Sequence, residues 1–427
     1  MIIKPSGGLR GELTVAPDKS ISHRGVMLGS IARGTTLIRN FLMGEDCLST
    51  ISCFRQMGVD IQIDGENVRV QGQGMRGLRE PEGTLYTGNS GTTTRILCGL
   101  LAPQSFSSRL EGDASIARRP MGRVIRPLRQ MGAQIEGREG EYTPLLIQGT
   151  PLRGLEYSMP VASAQLKSAL LLAGLYAEGE TRLHQPEVSR DHTERMLRGF
   201  GARVENRGRD VWLQPGEELY AGEVEVPADI SSAAFFMVAG LIVPGSCIRL
   251  RRVGLNPTRT GIVDALRAMG GDITVENVQQ GVEPMGDVVV RSSSLHGIRV
   301  EGELIPRLID ELPALAVAAA FAQGTTEIRD AQELKVKESN RIDAMARELV
   351  RAGADAEGTV DGLMIRGGKP LHGAKFHSYG DHRVAMSMTV LALAAQGESQ
   401  IEDPGCIAIS YPGFAGALRQ LGGEVDG

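Results

Sequence analysis

The chain has 427 residues, which is too long for one compact core and predicts two or more domains. Hydrophobic residues make up 41% and charged residues 23%, a globular composition that gives no reason to expect a disordered tail or a fibre. The net charge of −5 argues against a nucleic-acid surface, because phosphate-backbone binding needs clustered positive charge. No apolar run reaches the roughly 18 residues of a transmembrane helix and the five cysteines are scattered, so we expect a cytoplasmic protein without membrane contact, disulfides or structural zinc.

Along the chain, the first pattern is a phrase that recurs six times at intervals of about 70 residues. Each copy predicts an apolar helix, a turn around glycine and a short strand. The copies are SIARGTTLI (30–38), GLLAPQSFSSRL (99–110), GLYAEGETRL (174–183), GLIVPGSCIRL (240–250), AFAQGTTEI (320–328) and ALAAQGESQI (392–401).

A second phrase alternates with the first and predicts a helix that stops at glycine before another strand. Glycine after the last helical turn adopts the left-handed conformation that commonly ends a helix. The marker glycines are Gly58, Gly132, Gly201, Gly270, Gly353 and Gly422. Together the two phrases predict an α/β protein of six units, each with two helices and several strands.

The two halves of the chain also match each other directly. Residues 10–22 (RGELTVAPDKSIS) align without a gap with residues 221–233 (AGEVEVPADISSA). This match predicts two domains of three units each, with the chain crossing between them near residues 17 and 228. Repetition alone also leaves an extended solenoid open.

Residues 17–24 (PDKSISHR) are typical of a strand-to-helix junction. Lys19 would lie beside the unpaired N–H groups at the helix start, and Ser20 and Arg24 would share one helical face, an arrangement that favours anions. The alternative is an ordinary cap with solvated basic residues. The matching segment has Ile230 opposite Lys19, so the repeat itself does not require the charge.

Two further segments of the first half could bind an anion. In residues 87–95 (TGNSGTTTR), Gly91 would let a ligand approach the backbone, but the loop lacks the ending of a nucleotide P-loop, so ATP is not expected. Residues 118–123 (RRPMGR) supply arginines, whose planar fork suits phosphate and carboxylate. Arg126 and Arg129, close behind, fit a solvated helix face equally well.

The middle of the chain combines small polar donors with an arginine. Ser163, in SAQLK, and Arg190, in SRDHTE, could hold hydroxyl groups and a phosphate. Asp191, His192 and Glu194 fit a helix N-cap with an acidic first turn at least as well.

The second half places ionisable residues at the edges of apolar repeats. Asp310 precedes the run LPALAVAAAF and is either an N-cap or a partly desolvated general base. In the segment KVKESNR, Lys337 and Arg341 would share one helical face, and Glu338 is close enough to Arg341 to pair with it.

The last candidate segment is YGDHR, at residues 379–383. It offers Arg383 as an anion ligand. His372, His377 and His382 recur at a spacing that matches neither a helix face nor a strand face, so we expect no metal site.

In this order the segments resemble the enolpyruvyl transferase family over essentially the whole chain, and within it the branch whose acceptor is shikimate-3-phosphate. The motifs that carry the resemblance are PDKSISHR, GNSGTTTR, RRPMG, SAQLK, RDHTE, KVKESNRI and GDHR. The family's fold is two domains, each of three βαβαββ units, an inside-out α/β barrel with its helices inward. The resemblance assigns residues 18–228 to a domain that binds mainly shikimate-3-phosphate. It assigns residues 1–17 and 229–427 to a domain that supplies catalytic and phosphoenolpyruvate-binding residues.

The resemblance also implies an activity: the enolpyruvyl group of phosphoenolpyruvate moves to the 5-hydroxyl of shikimate-3-phosphate and phosphate is released, a step of chorismate and aromatic amino acid biosynthesis. It implies no metal or organic cofactor, a monomer, and closure of the two domains on substrate. Shikimate-3-phosphate would be bound by Lys19, Ser20, Arg24, Ser163, Ala164, Gln165, Arg190, Asp310 and Lys337. Phosphoenolpyruvate would be bound by Lys19, Asn89, Gly91, Arg119, Gln165, Arg341, His382 and Arg383. Asp310 is the expected base and Glu338 the expected acid, with Lys19 shared between both steps.

Two positions depart from the family pattern, and two rival functions stay in view. Ile409 stands where a further lysine is expected, and Glu333 replaces an asparagine. The sister enzyme that uses UDP-N-acetylglucosamine usually has a cysteine where this chain has Ala114. A non-catalytic, anion-binding repeat protein would spread its charges evenly over the six units, whereas here they gather at particular junctions.

Overall fold

The structure, a computed structural model, describes residues 1–216 and 218–426. The chain divides into two compact units. Unit 1 comprises Met1–Ala16 with Pro227–Gly427, and unit 2 comprises Pro17–Val226. In the described part of the chain, no helix is long and apolar enough to cross a membrane.

The N-terminal segment contributes β1 (Ile2–Ile3) and β2 (Arg10–Leu13) to unit 1. Unit 2 follows. Its helices are α1 (Lys19–Ile31), α2 (Glu45–Gln56), α3 (Gly91–Leu101), α4 (Gly122–Gln130), α5 (Ala164–Gly174) and α6 (His192–Gly199), with a 3-10 turn at Ile116–Arg118. Its strands are β3 (Ala32–Arg39), β4 (Asp60–Asp64), β5 (Asn67–Gln73), β6 (Leu85–Tyr86), β7 (Ser107–Glu111), β8 (Gln134–Arg138), β9 (Tyr142–Gln148), β10 (Glu156–Ser158), β11 (Thr181–His184), β12 (Arg203–Arg207), β13 (Asp210–Gln214), β14 (Leu219–Tyr220) and β15 (Glu223–Glu225).

Unit 1 resumes after residue 226. Its helices are α7 (Ile230–Ile242), α8 (Gly261–Ala268), α9 (Leu304–Leu308), α10 (Leu312–Phe321), α11 (Arg341–Arg351), α12 (His382–Ala394) and α13 (Phe414–Gln420), with 3-10 turns at Gln332–Val336 and Pro404–Ile409. Its remaining strands are β16 (Cys247–Gly254), β17 (Asp272–Gln279), β18 (Met285–Arg291), β19 (Arg299–Val300), β20 (Thr325–Ile328), β21 (Asp355–Gly358), β22 (Leu363–Arg366), β23 (Lys375–His377), β24 (Ser399–Glu402) and β25 (Val425–Asp426).

Residues 1–216 and 218–426 form six sheets that repeat one topology. In each sheet a parallel pair of strands is extended by two further antiparallel strands, as in the order β6-β7-β9-β8. The other orders are β10-β11-β13-β12, β14-β3-β5-β4 with β15 also on β3, β17-β18-β16-β2, β19-β20-β22-β21 and β23-β24-β1-β25. The prediction of six βαβαββ repeats, three in each half, is confirmed.

Three of the sheets include a strand from a distant part of the sequence. In unit 2, β14 and β15 pair in parallel with β3, although they lie at the end of the unit. In unit 1, β2 pairs in parallel with β16, and β1 pairs with both β24 and β25. The matching segments found in the sequence contain β2 and β15, each with the start of the helix that follows it, α1 and α7.

The first helix of each repeat is buried on every side. In α7 all residues are buried, and in α10 the whole stretch from Leu312 to Ala320 is buried. Such helices have no polar face, so they can lie only inside a protein. In unit 1, α7, α10 and α12 pack against one another, and in unit 2, α3 packs against both α5 and α1. At the α3–α5 contact, a Cβ on Gly99 would lie 1.9 Å from the carbonyl oxygen of Ala169, so only glycine fits there.

The second helix of most repeats ends in one recurrent arrangement. The marker glycines take φ values of 86° to 102°, the left-handed conformation predicted from the sequence. Three residues earlier, an arginine donates to the carbonyl oxygen of the residue six positions beyond it, in or at the following strand. These pairs are Arg55 with Ile61, Arg129 with Ile135, Arg198 with Val204, Arg267 with Ile273 and Arg419 with Val425. The fifth repeat has Val350 at this position.

Candidate active site

In unit 2, most candidate residues lie at the N-terminal ends of α1, α3 and α5. Asp18, Ser90 and Ser163 are the N-caps, and each side chain accepts a main-chain N–H from the first turn. Lys19, Gly91 and Ala164 are the first helical residues. The aligned N–H groups and dipoles of helix starts favour a bound anion.

The basic residues of α1 are held by neighbouring helices. Lys19 Nζ lies 3.1 Å from Asp46 Oδ2, at the start of α2. Arg24 is buried and donates to Ser20 O at 2.9 Å, which places both residues on one face as predicted. Arg24 also donates to Thr193 Oγ1 at 2.6 Å and to Ser168 Oγ at 2.9 Å. These contacts attach α1 to α5 and α6.

The start of α3 brings Asn89 and Gly91 together with two arginines. Arg119 Nη2 donates to Asn89 Oδ1 at 3.0 Å, and Arg95 Nη1 donates to Gln165 Oε1 at 2.9 Å. A Cβ on Gly91 would lie 2.8 Å from Arg95 Nη1 and 3.3 Å from Arg119 Nη1. A larger residue at this position must therefore displace a guanidinium group. Arg95 is the last residue of the TGNSGTTTR motif, but the sequence analysis did not predict its contact with Gln165, seventy residues away.

Arg190 lies in the short segment between β11 and α6. Asp191, which follows it, is the N-cap of α6, but its side chain makes no capping bond. Instead, the Asp191 carboxylate accepts from Arg195 Nε at 2.8 Å. Glu194 is completely buried rather than part of a solvated first turn. Asp191 and Glu194 thus occupy the N-cap and the first turn of α6 as predicted, but neither side chain acts as a solvated cap, because Asp191 pairs with Arg195 and Glu194 is buried.

In unit 1, Arg341 is the centre of the candidate cluster. Its side chain is 1% exposed and contacts three carboxylates. Arg341 Nε donates to Asp381 Oδ2 at 2.8 Å, and Nη2 donates to Glu338 Oε2 at 2.5 Å. Nη1 lies 3.4 Å from Asp310 Oδ1. The predicted Glu338–Arg341 pair is confirmed, whereas the contact with Asp381 was not foreseen.

Burial and charge oppose each other in this cluster. Burial lowers the pKa of Arg341, but the carboxylates of Asp381, Glu338 and Asp310 outweigh it and raise that pKa above its ordinary value. Burial likewise raises the pKa of Asp381, but the Arg341 charge outweighs it and leaves that pKa below its ordinary value. Arg341 and Asp381 are therefore both charged in the folded protein.

Asp310 contacts three basic side chains that come from separate segments of unit 1. Its Oδ1 lies 3.4 Å from Lys337 Nζ as well as 3.4 Å from Arg341 Nη1, and its main-chain oxygen accepts from Arg383 Nη1 at 2.9 Å. Asp310 is not an N-cap, because Glu311 occupies that position of α10. Lys337 and Arg341 do not share a helical face either: Lys337 precedes α11, which begins at Arg341. They converge through Asp310.

His382 and Arg383 open α12 and are both buried. Asp381 caps this helix and accepts from the main-chain N–H of Arg383 at 2.9 Å. The same carboxylate accepts from Ser339 Oγ at 3.0 Å. Within the described residues, no group of three or more His, Cys, Asp or Glu side chains could hold a metal ion.

A second buried ion pair lies beside Asp310 and was missed by the sequence analysis. Glu311 is completely buried, and its Oε1 accepts from Ser231 Oγ and lies 3.4 Å from Arg259 Nη2. Arg259 also donates to Ser231 Oγ at 2.7 Å. Ser231 is the second residue of α7, so this network joins two inner helix starts.

Other basic residues of the first half have structural partners. Arg129 donates to Ile135 O, as described above, and Arg126 pairs with Glu141 at 2.9 Å. Arg118 is exposed, unlike its neighbour Arg119. Of the arginines that follow residue 117, the structure therefore singles out Arg119 as the one near Gly91.

The similarities to known proteins agree with this arrangement. The family model described as EPSP synthase (3-phosphoshikimate 1-carboxyvinyltransferase) matches residues 3–418. The chain belongs to the EPSP synthase family. A curated relative from Shouchella clausii (strain KSM-K16), named 3-phosphoshikimate 1-carboxyvinyltransferase, is 55% identical over 99% of this chain and 98% of its own. One of the same name from Bacillus thuringiensis subsp. konkukian (strain 97-27) is 54% identical over 97% of each chain.

Solved structures support the same family. The EPSP synthase from Acinetobacter baumannii superposes with a TM-score of 0.88 at 46% identity, over 99% of this chain and 98% of that chain. The family expected from the motifs and its two-domain α/β fold are both confirmed.

Proposed function

We propose that the protein transfers the enolpyruvyl group of phosphoenolpyruvate to the 5-hydroxyl of shikimate-3-phosphate and releases phosphate, the reaction for which its relatives are named. The observation that carries this proposal is the environment of Asp310. Its carboxylate lies between the cations of Lys337 and Arg341, in a chain that matches 3-phosphoshikimate 1-carboxyvinyltransferases over nearly its full length. Nearby opposite charges favour an ionised carboxylate, which is the form a general base requires.

The substrate anions give the basic residues their proposed roles. Shikimate-3-phosphate is assigned to the residues at the starts of α1 and α5 and before α6, with two residues of unit 1: Lys19, Ser20, Arg24, Ser163, Ala164, Gln165, Arg190, Asp310 and Lys337. Phosphoenolpyruvate is assigned to residues that include the Gly91 surroundings and the Arg341 cluster: Lys19, Asn89, Gly91, Arg119, Gln165, Arg341, His382 and Arg383. Arginine binds both phosphate and carboxylate through paired N–H donors.

The reaction needs one base and one acid. Asp310 would take the proton of the 5-hydroxyl as that oxygen attacks C2 of phosphoenolpyruvate, while Glu338, with Lys19, would supply a proton to C3. The tetrahedral product then loses phosphate from C2 and a proton from C3, which restores the vinyl group. Arg341 contacts both Asp310 and Glu338, so it can balance the negative charge as protons move between these groups.

The proposed roles assign different parts of the reaction to the two units. Unit 2 would bind mainly shikimate-3-phosphate, and unit 1 would supply the base, the acid and three phosphoenolpyruvate ligands, Arg341, His382 and Arg383. We propose that the protein acts as a monomer in the cytoplasm.

The rival with the most similar chemistry is enolpyruvyl transfer to UDP-N-acetylglucosamine. Ala114, which stands where that enzyme usually has a cysteine, carries no nucleophile or proton donor, and the chain is matched by 3-phosphoshikimate 1-carboxyvinyltransferases over nearly its full length. The test is therefore phosphate release by the purified protein with phosphoenolpyruvate and either acceptor.

Release is expected only with shikimate-3-phosphate. Asp310→Asn should lower kcat by at least roughly a hundredfold, because a general base contributes about that much or more. The control is Asp272→Asn, at an exposed strand residue. Release with the nucleotide sugar alone, or no release by the folded protein, would contradict the proposal.

A further inference from the structure

Unit 2 contains a buried ion pair that the reaction described above does not use. Lys167, on α5, and Glu194, on α6, are both 0% exposed, and Lys167 Nζ lies 2.6 Å from Glu194 Oε1. Asn206 Nδ2 lies 3.4 Å from the same oxygen. Glu194 Oε2 has no hydrogen-bond partner among the residues that the structure describes.

Stability alone does not account for this pair. Removing two charges from water is costly, and well-packed apolar replacements of buried ion pairs are often as stable or more stable. A buried carboxylate oxygen without a hydrogen bond adds to that cost. A role other than stability would have to come from the other contacts of Lys167.

Lys167 has a second acceptor, which lies next to a proposed substrate ligand. Its Nζ donates to the main-chain oxygen of Ser189 at 3.0 Å. That oxygen belongs to the peptide group that joins Ser189 to Arg190. Gln185, which is also completely buried, accepts from Ser189 N at 3.0 Å and from Ser189 Oγ at 2.6 Å. The backbone before Arg190 is thus held by buried groups from both sides.

The same helices also hold another proposed ligand. Ser168 and Thr193, neighbours of the ion pair in sequence, are 2.7 Å apart through their hydroxyl oxygens. Both accept from Arg24, as described above. Gln165 is the second residue of α5, two positions before Lys167. The α5–α6 contact therefore lies directly behind three of the residues assigned to shikimate-3-phosphate.

We propose that Lys167 and Glu194 are positioning residues for Arg190, and through it for the phosphate group of shikimate-3-phosphate; this rests on the proposed function. The ammonium group fixes the plane of the Ser189–Arg190 peptide, which sets the direction in which the Arg190 side chain leaves the backbone. Glu194 keeps the ammonium group in place and balances its charge. A ligand group held in its binding geometry avoids an ordering cost when substrate binds.

The test separates positioning from stability within the pair itself. Lys167→Met with Glu194→Met removes both charges, leaves an apolar contact and deletes the donor to Ser189. Glu194→Gln keeps an acceptor for Lys167 and leaves the Ser189 contact intact. Val68→Ala, in a different sheet of the same unit, controls for a general loss of stability. For each variant, calorimetry gives Kd for shikimate-3-phosphate and the melting temperature, and steady-state assays give kcat and both KM values.

Loss of positioning should weaken binding of shikimate-3-phosphate roughly tenfold to a hundredfold in the double variant, the size of effect expected when a binding group is misplaced. KM for phosphoenolpyruvate should stay near the wild-type value. Glu194→Gln, which keeps the Lys167 donor to Ser189 but weakens its anchor, should reduce affinity for shikimate-3-phosphate by less than the double variant does. Val68→Ala should melt at lower temperature yet bind shikimate-3-phosphate like the wild type. If the double variant does not fold, Lys167→Gln provides the same comparison with Glu194→Gln.

A double-mutant cycle with Arg190→Ala decides whether the effect passes through Arg190. If it does, removing the ion pair costs no further affinity once Arg190 is absent. An equal loss in the Arg190→Ala background, or wild-type affinity in the double variant, would overturn the inference while leaving the proposed function standing. A wild-type protein that does not bind shikimate-3-phosphate would overturn both.

Discussion

Asp381 is a buried carboxylate whose charge is stabilised by Arg341 and by the start of α12. Replacing it by asparagine keeps the shape but removes the most deeply buried of the three carboxylates that contact Arg341. Because removing one partner of a buried ion pair is strongly destabilising even though Glu338 and Asp310 still face Arg341, we expect Asp381→Asn to lower the free energy of unfolding by about 3 kcal/mol at pH 7. Urea unfolding measures this loss, and Asp272→Asn, at an exposed site, is the matched control.

The pair of Asp381 with Arg341 also makes the free energy of unfolding depend on pH in a predictable direction. The folded pKa of Asp381 lies below its unfolded value, which is about 3.9 for an aspartate. Its contribution is therefore complete above the unfolded pKa and is lost as the pH falls through the folded value. The difference between wild type and Asp381→Asn should be constant from pH 8 to about pH 5 and should shrink below pH 4. A difference that grows on acidification would contradict this assignment of charge.

His23 offers a second titration in which acidification again lowers stability, but through a side chain that is neutral in the folded protein. It is buried, its Nδ1 lies 2.7 Å from Thr50 Oγ1, and burial, together with the charges of Lys19 and Arg24, holds its pKa well below 6.5. The unfolded chain therefore binds a proton that the folded chain does not, and stability falls as the pH drops below about 6.5. In NMR spectra, the His23 ring signals should not titrate between pH 8 and 6, whereas in urea they should move with a midpoint near 6.5. Assignment comes from His23→Asn.

Sequence reasoning at this scale found contacts between neighbours and missed those between distant residues. Glu338 and Arg341 pair as their spacing predicted, because the distance follows from local backbone geometry. Asp381 and Glu311 contact their arginines only because segments of different repeats meet. No local pattern in the chain encodes that meeting.

At the scale of the element, the outer helices share an arginine that ties the helix to the strand after it. Arg267→Met should lower the free energy of unfolding by about 1–2 kcal/mol, because a hydrogen bond to a charged donor is lost. Val350→Arg, in the fifth repeat, should raise it by a fraction of that amount, since the exposed valine occupies the corresponding position. Arg182→Met, which removes an exposed pair with Glu180, is the control and should change stability by less than about 1 kcal/mol.

The ends of the helices show which features of a single element can be predicted from sequence patterns. The marker glycines were found because a left-handed residue after a helix nearly requires glycine. The inner helices were found because their apolar runs are long. The cap residues were harder: Glu311 rather than Asp310 occupies the N-cap of α10, and the short α9 just before it was not expected. Both candidates are acidic, and only the path of the backbone separates them.

At the scale of the whole molecule, the units differ in how the chain supplies them. Every strand of the unit 2 sheets comes from residues 17–226, whereas unit 1 needs β1 and β2 from residues 1–16. We expect residues 17–226 to fold alone, with cooperative thermal unfolding followed by circular dichroism. Residues 227–427 alone should fail to do so, because β1 lies between β24 and β25.

A rearranged chain provides the control for this prediction. Ile2 pairs with Asp426, so the two ends of unit 1 are adjacent. Residues 1–16 joined after residue 427 by a loop of about three residues should restore β1 and β2, and with them a folded unit 1. If residues 227–427 fold equally well without residues 1–16, β1 and β2 are not needed for folding and the prediction is wrong.

Because β1 lies between β24 and β25, its sheet can be completed only at the end of protein synthesis. The chain leaves the ribosome from its N-terminus, so β1 is made first, yet β24 and β25 begin only at Ser399 and Val425. At about 5–20 residues per second, the first strand waits roughly 20 to 80 s for its neighbours, while unit 2 can form in the interval. A ribosome that stops late in the message would therefore leave a finished unit 2 attached to an opening segment with nothing to pair against.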